Sequence, residues 1–114
     1  MCNKSTLNKI LDEVSRKVQE LLSGSLRDII LYGSYARGDY DDESDIDIMV
    51  LADIADEERR TWRHEISLIS SAVSLENDIT VCIILCNKAL FEEHLPILPF
   101  YQNVMNDGVT IYAN

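Results

Sequence analysis

The spacing of apolar residues lays out the elements. From Ser5 to Ser23, Leu7, Ile10, Leu11, Val14, Val18, Leu21 and Leu22 recur three and four apart, predicting an amphipathic helix with one buried stripe. Ser5 is placed to cap its start and Gly24 to stop it. Leu26 to Tyr32 ends in the apolar run Ile29-Ile30-Leu31-Tyr32, whose length and following glycine predict a buried strand. Gly33-Ser34 breaks that run, Tyr35-Ala36-Arg37 reads as a helical turn ended by Gly38, and Asp39 to Ser44 reads as a polar loop. Strand character returns from Asp45 to Leu51. Alternation there puts Asp45, Asp47 and Met49 on one face and Ile46, Ile48 and Val50 on the other.

Asp53 and Asp56 can start a second long helix, which runs to about Leu75 with Trp62, Ile66, Ile69 and Val73 on its buried stripe. Glu76-Asn77-Asp78 turns the chain into a third strand, Ile79 to Leu85. Lys88 to His94 reads as a helical turn. Pro99 to Asn106 reads as a short helix with proline in its first turn and Gly108 just past its end. Val109 to Tyr112 is a short final strand suited to a sheet edge. Helices alternating with strands predict an α/β fold, a small mixed β-sheet flanked by helices, although no sheet order follows from the pattern. No repeat, low-complexity tract or linker appears, so residues 1–114 are expected to form a single domain.

Charge narrows the partners. Ten basic residues against twenty acidic ones give a net charge of −10, which disfavours direct binding to nucleic acid or an anionic membrane. A nucleotide remains accessible if cations neutralise the contact. Cys2, Cys82 and Cys86 form no disulfide framework. Cys82 and Cys86 would lie roughly 13 Å apart along one strand, so free thiols in a reducing compartment are expected. Cys2 follows Met1 with no apolar run before it, and no stretch of 18 apolar residues occurs, so a cytoplasmic protein is expected.

Candidate chemistry lies at two ends of one loop. Asp45 and Asp47 share a strand face about 7 Å apart along the chain, close enough for their oxygens to converge on one or two cations. The same pair also fits a solvent-facing strand. Gly33 directly after a buried strand allows close approach of a ligand, and Ser34 adds a hydroxyl beside N–H groups able to meet phosphate. Gly-Ser after a strand is also a common turn. Together, Gly33-Ser34, ten residues, then Asp45-x-Asp47 should arise by chance at about one in a thousand from average residue usage. Asp39, Asp41, Asp42 and Glu43 between them read as a solvated spacer. His64 and His94 have no visible partner for catalysis.

Gly33-Ser34-Tyr35-Ala36-Arg37-Gly38 with Ser44-Asp45-Ile46-Asp47-Ile48 resembles the signature of the DNA polymerase β-like nucleotidyltransferase superfamily, in particular its minimal nucleotidyltransferase (MNT) branch. The resemblance implies the polymerase β-like nucleotidyltransferase fold and a reaction in which a hydroxyl attacks the α-phosphate of a nucleoside triphosphate with Mg²⁺. Asp45 and Asp47 would then hold two Mg²⁺ ions, and Gly33 and Ser34 the β and γ phosphates. Asp78 is the best match to the family's third acidic residue, which binds metal and assists deprotonation; a turn or capping aspartate is its other reading. Arg37 could meet the triphosphate or pair with Asp39 or Asp41, while Tyr35 and Tyr40 suit packing, with self-modification as the other use of their hydroxyls.

The short chain and its negative charge point to an acceptor delivered by a partner. Minimal nucleotidyltransferases resembling this chain pair with helical HEPN ribonuclease toxins, transfer AMP from ATP to a hydroxyl, typically tyrosine, and so act as antitoxins. Two other readings stand beside that one: neutralisation of the partner by contact alone, and an oligomeric enzyme acting on a small molecule such as an aminoglycoside.

Overall fold

The structure, a computed structural model, describes residues 3–114; Cys2 lies outside them. Helix α1 (Lys4–Leu22) carries the expected stripe, with Ile10, Leu11, Val14, Val18 and Leu22 buried. Its cap is Asn3 rather than Ser5: the Asn3 side chain accepts the Thr6 N–H at 2.8 Å. The helix also stops before Gly24, at Ser23, and a 3-10 turn over Ser23–Ser25 leads into β1 (Leu26–Tyr32).

After β1 come the one-turn helix α2 (Ser34–Arg37), β2 (Ile46–Ala52), α3 (Arg59–Asn77), β3 (Val81–Asn87), α4 (Lys88–His94), α5 (Pro99–Asp107) and β4 (Val109–Ala113). The strands form one mixed sheet in the order β3-β2-β1-β4. β1 runs antiparallel to both β2 and β4, whereas β2 and β3 are parallel and joined across α3. β4 is an edge strand, as the sequence predicts. β2 begins one residue later than expected and β3 two residues later, because Asp45 and the segment Ile79–Thr80 lie just outside the paired strands.

The pleat of the two central strands builds a separate core on each face. Ile29 and Leu31 of β1 and Ile46, Ile48, Val50 and Ala52 of β2 pack with α1 and α3. Ile30, Tyr32, Met49 and Leu51 point the other way, against Phe91 of α4 and Val104 of α5. Both central strands are therefore almost wholly buried, each such side chain contributing about 1.5–3 kcal/mol. Two carboxylates share the α4–α5 face of the innermost pair: Asp28, paired with Lys88 of α4 at 2.5 Å, and Asp47.

Two serines of α3 fasten the start of β3. The Ser70 hydroxyl donates to the Val81 carbonyl, and the Val81 N–H donates to Ser74 Oγ at 2.9 Å. Thr80, one residue earlier, accepts the Ile46 N–H at 2.9 Å. Ser74→Ala strands the Val81 N–H and should cost about 1–2 kcal/mol, read as a lower midpoint in chemical denaturation with an unchanged slope. Because Ile46 separates the two aspartates, loosening this corner also loosens their seat.

Candidate active site

Gly33 sits at the turn from β1 into α2 with φ +75° and ψ −157°, a backbone region essentially reserved for glycine. Its carbonyl accepts the N–H groups of Ala36 and Arg37, each at 3.1 Å, which winds the one-turn helix headed by Ser34. Gly38 ends that helix in the left-handed conformation, with its N–H on the Ser34 carbonyl at 2.9 Å. Tyr35 is buried and stacks on Tyr40 with ring centroids 4.2 Å apart, so both tyrosines serve packing.

The spacer loop is better ordered than its composition suggests. Asp41 Oδ1 accepts the Glu43 N–H at 2.9 Å and the Ser44 hydroxyl at 3.2 Å, while the Asp41 N–H donates to Ser44 Oγ at 2.9 Å. Asp41 is thus a turn-forming residue. Asp39 binds Arg37, whose Nε lies 3.1 Å from Asp39 Oδ2. The acidic spacer is therefore tied back on itself at both of these positions.

Strand register then delivers the carboxylates. Tyr32 pairs with Asp47 across β1 and β2, which brings Asp47 beside Gly33. A Cβ built on Gly33 would stand 2.6 Å from Asp47 Oδ2, so glycine is what lets the carboxylate lie against this turn. Asp45 is the last residue before β2, and the two aspartates sense each other. Burial chiefly, and then the neighbouring Asp45 charge, push the Asp47 pKa above the usual carboxylate value, while the Arg37 charge pulls it partly back.

The other residues that the sequence singles out are not all brought here. Arg37 pairs with Asp39 and, at 3.5 Å, with Asp107 at the end of α5; Asp41 is not its partner. Its charge still reaches Asp47. Asp78 caps the C-terminus of α3 in the left-handed conformation (φ +52°), three residues before β3 begins, which is the capping reading of this residue. The charges that act on Asp47 are those of Asp45 and Arg37, not Asp78. Among the described residues no three His, Cys, Asp or Glu side chains converge as a metal-holding group.

Two neighbours of the pair escape sequence reasoning. Cys82 is in register with Asp47 on the parallel strand β3, and burial chiefly, then the Asp45 and Asp47 charges, push its thiol pKa up. Tyr32, buried on the same face and in register with Asp47, has its pKa pushed up by burial and then by the Asp47 charge. Neither could be found without the sheet order. Parity places Cys82 on a strand face, but only the parallel pairing places it next to Asp47.

The donor chemistry of this corner suits a hard divalent cation. Two carboxylates held close together, one of them partly buried and resisting ionisation, lose their mutual repulsion when a cation enters. Such an ion keeps open positions for substrate phosphates when only two side chains hold it.

Comparison with known proteins agrees with the architecture and the chemistry. The family model described as a nucleotidyltransferase domain matches residues 7–106. Two proteins of Methanocaldococcus jannaschii, named as candidate protein adenylyltransferases MJ0141 and MJ0604, are similar throughout. MJ0141 is 33% identical over 103 residues, covering 90% of this chain and 96% of its own. MJ0604 is 31% identical over 104 residues, covering 91% and 96%. A crystal structure of a toxin–antitoxin with AMP-PNP shares the fold with a TM-score of 0.54 at 23% identity, over 89% of this chain and 72% of the other. A variant of the toxin–antitoxin MntA–HpeT shares it with a TM-score of 0.53 at 20% identity, over 98% and 74%. By the domain match across residues 7–106 and by its full-length relatives, the chain belongs to the nucleotidyltransferase domain family and is a nucleotidyltransferase.

Proposed function

We propose that this nucleotidyltransferase is a Mg²⁺-dependent protein adenylyltransferase, moving AMP from ATP to a tyrosine hydroxyl of a HEPN-family ribonuclease toxin and thereby acting as its antitoxin. The observation that carries this reading is the seating of Asp47 against Gly33 with Asp45 beside it. The full-length similarity to proteins named as candidate protein adenylyltransferases supports adenylyl transfer to protein. The fold shared with toxin–antitoxin structures, one of them holding AMP-PNP, supports the partner and the nucleotide. The free thiols Cys82 and Cys86 suit a cytoplasmic setting.

The reaction needs few parts. The acceptor oxygen bonds to the α-phosphorus, the bond from that phosphorus to the β-bridging oxygen breaks, pyrophosphate leaves, and the hydroxyl proton passes to solvent. When bound, Mg²⁺ supplies charge neutralisation at the phosphate oxygens. Asp45 and Asp47 would hold it. Gly33 admits the triphosphate to the backbone, Ser34 offers its hydroxyl and the first N–H groups of α2, and Arg37 sets a positive charge at the rim.

The test is incubation with the HEPN protein encoded beside this chain, Mg²⁺ and ATP labelled at the α- or the γ-phosphate. Label should reach the HEPN protein from α-labelled ATP alone, and only with wild-type enzyme, not with Asp45→Asn. Absence of transfer by wild type, under conditions where the pair binds, overturns the proposal.

A further inference from the structure

The connection from α4 to α5 holds its apolar side chains outward on a tied-down backbone. Ile97 is 70% exposed, Phe100 46% and Leu98 39%. Yet the segment is fully turned in upon itself. The N–H groups of Ile97 and Leu98 donate to the His94 carbonyl at 3.0 and 2.9 Å, and Gln102 Nε2 donates to the Pro96 carbonyl at 3.0 Å. Pro96 and Pro99 restrict it further. Beneath it, Tyr101 packs on Phe91 at 4.7 Å between ring centroids. Three large apolar side chains presented by so well-fastened a segment form a preorganised contact surface.

This surface adjoins the reacting centre. The Phe100 ring meets Tyr32 edge-on at 5.7 Å, and Tyr32 is the cross-strand partner of Asp47. The far end of the same helix carries Asp107, the partner of Arg37. Helix α5 therefore spans from Tyr32, met by Phe100 in its first turn, to Arg37, met by Asp107 in its last. Around it the charges are mixed, with Glu93 exposed, Glu92 3.6 Å from Lys88, and Arg59 and Arg63 near Tyr101, on a chain whose net charge is −10.

The geometry points to the patch Ile97-Leu98-Phe100 as the docking surface for the acceptor protein, a basic partner presenting an apolar centre and the hydroxyl to be modified. This rests on the adenylyltransferase reading for the nature of the acceptor. Net charge selects the partner: two copies, each of charge −10, repel, whereas a basic protein is attracted. Contact beside Tyr32 also brings a partner side chain near Asp47.

Ile97→Asp is the deciding variant, since a side chain so exposed carries little of the fold. With the HEPN protein encoded beside this chain as acceptor, the KM for acceptor should rise at least tenfold, while the KM for ATP and kcat at saturating acceptor stay unchanged. An acceptor KM within twofold of wild type overturns the docking surface. A parallel rise in the KM for ATP overturns it in favour of a nucleotide-base contact, and a wild-type dimer that Ile97→Asp converts to monomer in light scattering overturns it in favour of a second copy. If wild type transfers no AMP, the adenylyltransferase reading fails on its own, and titration calorimetry decides the surface. Asp47→Asn should then bind the HEPN protein at least tenfold more tightly than Asp47→Asn combined with Ile97→Asp. Equal affinities, or no binding by either, reject it.

Discussion

Replacing Asp47 by asparagine should give a protein that melts higher and transfers AMP about a thousandfold more slowly, a loss of some 4 kcal/mol of transition-state stabilisation. The two effects have one cause. Burial and the Asp45 charge raise the Asp47 pKa, so the folded state holds this proton more tightly than the unfolded chain does. A raised carboxylate favours the fold below its ordinary pKa and loses that contribution as pH rises through the raised value. At neutral pH wild type bears the whole penalty of an ionised Asp47, and asparagine removes it. The melting advantage of the variant should therefore vanish in acid, below the usual aspartate range. Mg²⁺ with ATP should raise the wild-type melting temperature and leave the variant's unmoved. Calorimetric scans across pH, paired with initial rates, read all of this; a variant that melts lower than wild type at neutral pH sinks the explanation.

Gly33→Ala should lose most of its activity and melt several degrees lower, whereas Gly38→Ala keeps its activity. Both glycines have positive φ, +75° and +88°, so both substitutions carry backbone strain of about 1–3 kcal/mol. They differ in what the new methyl meets. At Gly38 nothing lies within 4 Å. At Gly33 the methyl would press on Asp47 Oδ2 and on its Cγ at 3.4 Å, so either the carboxylate swings away or the turn opens. A hundredfold loss at position 33, measured on folded protein, is expected on geometric grounds. Equal activity of the two variants would show that the seating of Asp47 against the turn is irrelevant to catalysis.

What the chain reveals in advance depends on how local the physics is. Helix stripes and strand parity are short-range, and they correctly put Asp47 opposite Ile46 and Ile48. The glycine turn is equally local. Caps shift by one or two residues because Asn3 competes with Ser5 for the same N–H groups. Asp78 illustrates a sharper limit. The sequence offers it as third acidic residue or as cap, and its left-handed backbone at the end of α3, three residues before β3 starts, is set by the path of the chain into the sheet. Long-range neighbours are out of reach altogether. Asp107 is seventy residues from Arg37, and Cys82 meets Asp47 only through a parallel pairing that no periodicity encodes.

The antiparallel pair β1–β2 contains most of the candidate site. From Leu26 to Ala52 it supplies the glycine turn, the spacer and both aspartates, all through contacts between close neighbours in sequence. The other flank of β1 is filled by β4, where Asp28 pairs with Ala113 across most of the chain length. Local pairings close quickly and distant ones slowly, since the long intervening loop must be immobilised first. During folding, the catalytic hairpin can therefore take shape while β1 still shows an open, hydrogen-bonding edge. That interval is the chain's point of greatest exposure to wrong pairing, and the edge involved is the strand that leads into its own active site.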